Sequence, residues 1–178
     1  MLPHPPILRG VEMVISTLKK AGHDVVEWVP YEPAYAHALV SKVYISDGAA
    51  DIDTTLKESG EPFLPNLGVP WPKKIDINEL WDVHLKKYAF QLKYLEQIRL
   101  AEEKLGKEID AIITPVAATA AVRHDQFKYY AYTNIVNLLD FTSVVVPVTF
   151  ADKNIDKKQD EYTPLNDYDK MVYDECEC

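Results

Sequence analysis

Four side chains occur in the order of a metal-dependent phosphohydrolase site, which holds its metal ion through histidines and carboxylates. They are His84, the adjacent pair His124 and Asp125, and Asp140. Histidine nitrogens and carboxylate oxygens are common ligands of catalytic metal ions. In that class of site the ligands project from packed helices, whereas His124 and Asp125 fall in a loop shortly after an apolar run. We therefore predict no metal site and no cofactor.

A serine nucleophile is the second chemistry to consider, because Ser143, His124 and an aspartate could form a triad on paper. Ser143 begins an apolar run and has no glycine beside it, so no nucleophile elbow is visible. The chain has six glycines and five serines, and no two of either are adjacent. Oxyanion holes are built from backbone N–H groups that glycine helps to bring close. We predict that Ser143 is a core or strand-edge serine and that the chain carries no catalytic residue.

The elements that would position a site lie between Asp110 and Phe150. Ile109–Thr114 and Ser143–Phe150 are apolar, β-branched runs typical of buried strands. Between them, Tyr129–Leu139 has apolar residues at helical spacing. A strand, loop, helix and strand in this order predict an α/β fold, a mixed sheet flanked by helices. Its loop would open at the carboxyl end of a strand, where such sheets bind ligands.

Other segments have clear starts and stops. Pro5 begins a predicted helix that ends near Gly22, and His23–Val29 follows as a predicted strand. Pro33 begins a second helix that closes at Asp47-Gly48. Residues 60–78 hold four prolines, which predicts an irregular surface excursion. We expect it to pack through Phe63, Leu67 and Trp71.

Asn78 is predicted to cap a long helix that extends to about Leu105, with Gly106 after it. One apolar face is expected to pack across the domain, and a coiled coil is the alternative, although Ile98 interrupts the heptad rhythm. That face is formed by Trp81, Leu85, Tyr88, Leu92, Leu95, Ala101 and Leu105.

The composition and charge of the chain limit the classes of function that it can have. The 178 residues are 47% hydrophobic, enough for one globular domain, and the net charge of −9 argues against nucleic acid and anionic membranes as partners. No long apolar segment or signal sequence is visible. Cys176 and Cys178 are expected to be free thiols in a reducing, cytoplasmic setting. We divide the chain into a domain at residues 1–150 and an acidic, irregular tail at residues 151–178.

The same segments resemble the C-terminal part of the amidase signature family, and most closely its fungal acetamidase branch. The resemblance covers most of residues 3 to 150. Its pieces are Pro3–Gly10, Gly22–Trp28, Ser46–Asp51, Glu58–Pro62, Asp110–Pro115, His124–Tyr132 and Asn137–Val148. It implies part of a mixed-sheet amidase signature fold, and an activity that hydrolyses small carboxylic amides to acid and ammonia without a cofactor.

The resemblance also implies residue roles. Family members use a serine nucleophile, a second serine and a lysine, all upstream of the part matched here, and the two serines lie in a Gly- and Ser-dense region. Five residues of this chain correspond to the wall of the acyl pocket, and plain core packing is the alternative for each. They are Thr114, Pro115, Tyr132, Thr133 and Val136. Thr142-Ser143 departs from the Pro-Ala that the acetamidase pattern tends to show.

Three interpretations remain open from the sequence. The chain is a portion of an amidase that binds its small amide substrate only in the complete domain, a catalytically inactive binding protein, or a truncated gene product. In each case we expect the isolated chain to lack amidase activity. We also expect it to form homo-oligomers or aggregates through an exposed sheet edge, because neighbouring strands would be encoded elsewhere.

Overall fold

The structure, a computed structural model, describes residues 1–63, 72–127, 129–159 and 161–176. The predicted packing residues Leu67 and Trp71 lie outside these ranges. Helices were predicted at the positions of α1, α2, α4 and α5, and the structure confirms them to within a few residues. The described ranges contain α1 (Pro5–Lys20), α2 (Pro33–Tyr44), α3 (Ala50–Ser59), α4 (Ile77–Leu105), α5 (Ala131–Leu139) and α6 (Asp167–Asp174).

Local chemistry accounts for the ends of α4. The Asp76 carboxylate accepts hydrogen bonds from the backbone N–H groups of Asn78 and Glu79, at 2.8 and 2.9 Å, so Asp76 and not Asn78 is the N-cap. Gly106 closes the helix at φ 68°, a left-handed conformation that favours glycine, and its N–H donates to the Glu102 carbonyl. No helix among the described residues is both long and apolar enough to cross a membrane.

The predicted α/β fold is wrong for this chain. The described residues form helices and irregular segments, with no strand at His23–Val29, Ile109–Thr114 or Ser143–Phe150. A strand is defined by hydrogen bonds to a neighbouring strand, and a β-branched run supplies no such neighbour by itself. The apolar side chains of the last run are open to solvent, with Val144 at 83% exposure and Phe150 at 92%.

The chain divides into two compact units. One comprises Pro30–Asp110 and Asn134–Phe141. Its core lies between α2 and α4, where Ala36, Leu39 and Val40 are buried, as are Val83, Phe90 and Tyr94 of α4. The Phe90 ring lies 5.9 Å from that of Tyr35 on α2. The apolar face predicted to be the packed side of α4 is therefore not the buried one.

The other unit comprises Met1–Val29, Ala111–Thr133 and Thr142–Cys178. Its buried residues include Ala118, Val172 and Tyr173. Residues 151–178 are not irregular throughout, because they contain α6, and Tyr173 on that helix accepts a hydrogen bond from the Gln159 N–H at 2.9 Å. The proposed boundary at residue 150 stays a prediction.

Candidate functional site

The loop after residue 115 and helix α6 enclose a narrow cavity. Its volume is about 10 Å³, which leaves room for about one water molecule and none for an organic substrate. The wall is mostly apolar, and Glu175 is held at it by a hydrogen-bonded ion pair with Arg123 at 2.8 Å. The cavity is lined by Ala118, Thr119, Val122, Gln126, Phe127, Tyr129, Met171, Val172 and Glu175.

A cluster of tyrosines adjoins the cavity. The Tyr129 ring packs edge-on against Tyr132 at 5.7 Å and against Tyr168 at 6.0 Å. The Tyr132 hydroxyl donates to the Met1 carbonyl at 2.7 Å, so the phenol is held in one orientation. Burial, followed by the neighbouring Tyr129 and Asp169, raises the pKa of Tyr132 to about 12. Tyr132 is therefore a neutral hydrogen-bonding group, unsuited to act as a base near neutral pH.

A buried carboxylate, Asp169, joins α6 to the start of the chain. Asp169 is fully buried and accepts hydrogen bonds from the N–H groups of Leu2 at 3.0 Å and Leu165 at 2.9 Å. It also accepts a hydrogen bond from the Tyr162 hydroxyl. Burial alone would raise the pKa of Asp169, but these donors hold it below its ordinary value. The charge is thus compensated and structural.

His4 makes a second connection to α6. Its imidazole Nε2 donates to the Val172 carbonyl at 2.8 Å, and its backbone N–H donates to the Ala118 carbonyl at 2.7 Å. Only 3% of His4 is exposed, and burial lowers its pKa, with a smaller lowering from the charge of Lys158. His4 occupies the N-cap position of α1, although its side chain makes no capping hydrogen bond.

Arg9 attaches the segment after Phe150 to α1. Its guanidinium donates to both carboxylate oxygens of Asp156, at 2.7 and 2.8 Å, and to the Phe150 carbonyl at 2.8 Å. Asp156 is buried, and the Arg9 guanidinium holds its pKa down at about 2. A bidentate arginine–carboxylate pair fixes both partners in orientation as well as in distance.

The five residues predicted to wall the pocket differ in their exposure to solvent. Thr114 and Thr133 are exposed, while Pro115, Tyr132 and Val136 are half-buried. None of the five lines the narrow cavity, although Tyr132 packs on Tyr129, which does. Their assignment to a substrate pocket stays a prediction.

Helix α5 also carries an unsatisfied polar atom. Asn134 is buried, its amide Nδ2 donates to His37 Nδ1 at 2.8 Å, and its Oδ1 has no hydrogen-bond partner among the described residues. Buried acceptors are nearly always paired, so this atom can take a donor from a water or a ligand.

Asp140, Ser143 and Cys176, which the sequence analysis considered for chemistry, have structural contacts or lie exposed. Asp140 forms an ion pair with Lys87 and accepts a hydrogen bond from Gln91 at 2.8 Å, which fastens the end of α5 to α4. Ser143 is exposed and does not lie in a core. Cys176 is disulfide-bonded, so it is not the free thiol that we predicted.

Sequence reasoning missed the Asp169 and His4 contacts. One signal for α6 was present, because Asn166 is an N-cap residue and its side-chain oxygen accepts the Asp169 N–H at 2.8 Å. The partners Leu2 and Asp169 are 167 positions apart, and no spacing rule connects them.

Comparison with known proteins gives matches over nearly the whole chain. The family described as Amidase matches residues 1–170. An acetamidase of Emericella nidulans is 55% identical over 98% of this chain and 32% of its own length. An acetamidase of Aspergillus oryzae is 54% identical over 97% of this chain and 32% of its own length. The chain thus spans about a third of the length of these relatives.

Among solved structures, fatty acid amide hydrolase superimposes with a TM-score of 0.79 over 99% of this chain and 32% of that chain, at 22% identity. At that level of identity the likeness shows a shared fold.

Proposed function

We propose, from the premise that this chain belongs to the amidase family, that it is the later portion of an acetamidase-like hydrolase of small carboxylic amides. The observation that carries the proposal is the identity of 54–55% to two acetamidases over 97–98% of the chain. The reaction converts RCONH₂ and water into the carboxylic acid and ammonia. The family resemblance assigns the attacking serine, its partner serine and the lysine to the region upstream of the matched part.

This portion supplies the wall of the acyl pocket through Thr114, Pro115, Tyr132, Thr133 and Val136. Two observations support that role. Tyr132 supplies an oriented, neutral phenol and Val136 a half-buried apolar side chain, and small-ligand pockets combine apolar walls with a few placed polar groups. The narrow cavity beside α6 is too small for an amide and is lined by none of these five residues, which is consistent with a pocket completed by the rest of the domain.

A chimera tests the activity. The corresponding third of the Emericella nidulans acetamidase is replaced by this chain, and ammonia release from acetamide is measured. We expect the chimera to turn over acetamide, the isolated chain to show no turnover, and Ser143→Ala to leave the chimera's activity unchanged. A folded, inactive chimera contradicts the proposal, and so does turnover by the isolated chain that Ser143→Ala abolishes.

A matched pair of threonines tests the pocket wall. Thr133 and Thr54 are both exposed helical residues, whose hydroxyls donate to the Tyr130 and Ala50 carbonyls at 3.2 and 2.9 Å. Loss of one substrate hydrogen bond corresponds to roughly a tenfold change in kcat/KM. We expect Thr133→Val to produce that loss in the chimera and Thr54→Val to produce none. Equal effects would remove Thr133 from the pocket.

A further inference from the structure

A single peptide group lies between Asp169 and Tyr132. The carbonyl of Met1 and the N–H of Leu2 belong to the same planar amide. The N–H donates to Asp169 Oδ1 at 3.0 Å, and the carbonyl accepts from the Tyr132 hydroxyl at 2.7 Å. Two hydrogen bonds through one rigid group therefore connect the Asp169 carboxylate to the Tyr132 phenol, and all four residues belong to the same compact unit.

Asp169 is a fixed anchor for this connection. The residue is fully buried, and its backbone N–H donates to the side chain of Asn166, the N-cap of α6, at 2.8 Å. The second carboxylate oxygen, Oδ2, accepts from the Tyr162 hydroxyl and from the Leu165 N–H at 2.9 Å. Because these donors occupy Oδ2, the carboxylate is held with Oδ1 available to the Leu2 N–H.

The charge of Asp169 strengthens both hydrogen bonds of the peptide. A hydrogen bond to an ionised acceptor is stronger than a neutral one, and hydrogen bonds in a chain polarise one another. With the N–H bonded to an anion, the Met1 carbonyl is a better acceptor for the phenol. The donors around Asp169 hold its pKa below the ordinary carboxyl value, so the charge is present at neutral pH. The pKa of Tyr132 is raised to about 12, so the phenol keeps the proton that it donates.

The Tyr132 side chain is held at two places. Tyr129 packs edge-on against the ring at a centroid distance of 5.7 Å, and the Met1 carbonyl holds the hydroxyl. A phenol fixed at both its ring and its hydroxyl presents one boundary to a neighbouring group. Without the hydroxyl contact, the ring can turn about its side-chain bonds and make room for a bulkier group.

We propose that Asp169 is a positioning residue for the amidase reaction, which fixes the Tyr132 ring through the Met1–Leu2 peptide and thereby favours substrates with a small acyl group. The inference rests on the proposed function, because it takes Tyr132 as part of the wall of the acyl pocket. Asp169 itself needs no contact with the substrate. It acts on the selectivity between amides and not on the chemical step.

Selectivity between two amides, measured in the acetamidase chimera, tests the proposal. The ratio of kcat/KM for acetamide to that for benzamide does not depend on the fraction of folded enzyme, so a loss of stability alone leaves it unchanged. We expect Asp169→Asn to lower this ratio about tenfold, the kinetic equivalent of one net hydrogen bond, because asparagine offers one acceptor oxygen to three donors. The matched control on α6 is Tyr173→Phe, which removes the buried hydrogen bond to the Gln159 N–H and should leave the ratio unchanged.

Two further variants show whether Asp169 acts through the peptide and through Tyr132. Leu2→Pro removes the N–H that Oδ1 accepts and keeps the carboxylate with its other donors, so it should lower the ratio as Asp169→Asn does. This variant decides the question if Asp169→Asn fails to fold. In a Tyr132→Phe background, Asp169→Asn should cause no further change in the ratio, because the effects of groups that act in series are not additive.

A 3-fluorotyrosine incorporated in place of Tyr132 gives a readout that needs no turnover. We expect its fluorine chemical shift to differ between the parent chimera and Asp169→Asn, and to be the same in the parent and Tyr173→Phe. An unchanged shift and an unchanged ratio in Asp169→Asn would overturn the proposal, as would equal changes in the control or full additivity with Tyr132→Phe. A folded chimera that hydrolyses neither amide contradicts the proposed function instead, and the fluorine comparison then still decides whether Asp169 orients Tyr132.

Discussion

Replacement of His4 by glutamine should remove part of the pH dependence of stability. His4 is neutral in the folded protein, because it is buried and donates through Nε2 to the Val172 carbonyl at 2.8 Å. The amide of His4→Gln retains an N–H donor but does not titrate near neutral pH. The comparison therefore isolates proton binding from loss of the hydrogen bond.

The sign and magnitude follow from linkage. Burial lowers the pKa of His4 below its ordinary value of 6.5, so below that pH the unfolded chain binds a proton that the folded chain does not. The stabilisation from neutral His4 is fully present above pH 6.5 and decreases as the pH falls, until the folded-state pKa is reached. One proton corresponds to a slope of at most about 1.4 kcal/mol per pH unit in this window.

Urea unfolding followed by circular dichroism, at intervals from pH 8 to about pH 5, measures this slope. We expect the difference in unfolding free energy between the unmodified chain and His4→Gln to shrink as the pH falls below 6.5. His23→Gln is the control, since His23 is exposed. Parallel curves for the unmodified chain and His4→Gln over this range would refute the assignment of a buried neutral imidazole.

Three further predictions concern the packing of the chain. Phe90→Ala should lower the unfolding free energy by about 3–5 kcal/mol in urea titrations, because it empties a buried aromatic site between α2 and α4. Tyr132→Phe should lower the unfolding free energy by about 1 kcal/mol in urea titrations, because it removes the hydrogen bond to the Met1 carbonyl. The ionised Asp156 carboxylate stabilises the folded chain above the unfolded-state pKa, and this stabilisation is lost as the pH falls from about 4 to about 2 and the carboxylate protonates. Asp156→Asn should therefore abolish this loss of stability, and thermal unfolding across that pH range measures it.

The two stripes of α4 show the limit of hydrophobic patterning. The more regular stripe, with perfect heptad spacing, is the exposed one, and the sparser stripe of Val83, Phe90 and Tyr94 is buried. Periodicity identifies a helix with an apolar face, but it contains no information about which partner is present. Burial is decided by α2, whose buried Ala36 and Val40 belong to the same core.

The predicted strands failed for a related reason. Val144, Val145 and Val146 have the side chains that favour a strand, yet all three are exposed and unpaired in the described structure. Pairing needs a second backbone at a spacing of about 4.8 Å, and no property of the run itself can provide it.

By itself, the sequence determined four of the six helices in the described residues, and the family. Helix bounds depend on contacts within a few residues, such as Pro5 at the start of α1, the cap before α4 and the glycine after it, so they can be read locally. Only the tertiary structure decided which polar groups are buried. Asp169 is compensated by Leu2 and Tyr162, His4 by Val172, and Asp156 by Arg9. Most of these partners are more than a hundred residues apart in the chain. Their hydrogen bonds and ion pairs contribute to stability only when the fold brings the groups within hydrogen-bonding distance and excludes water.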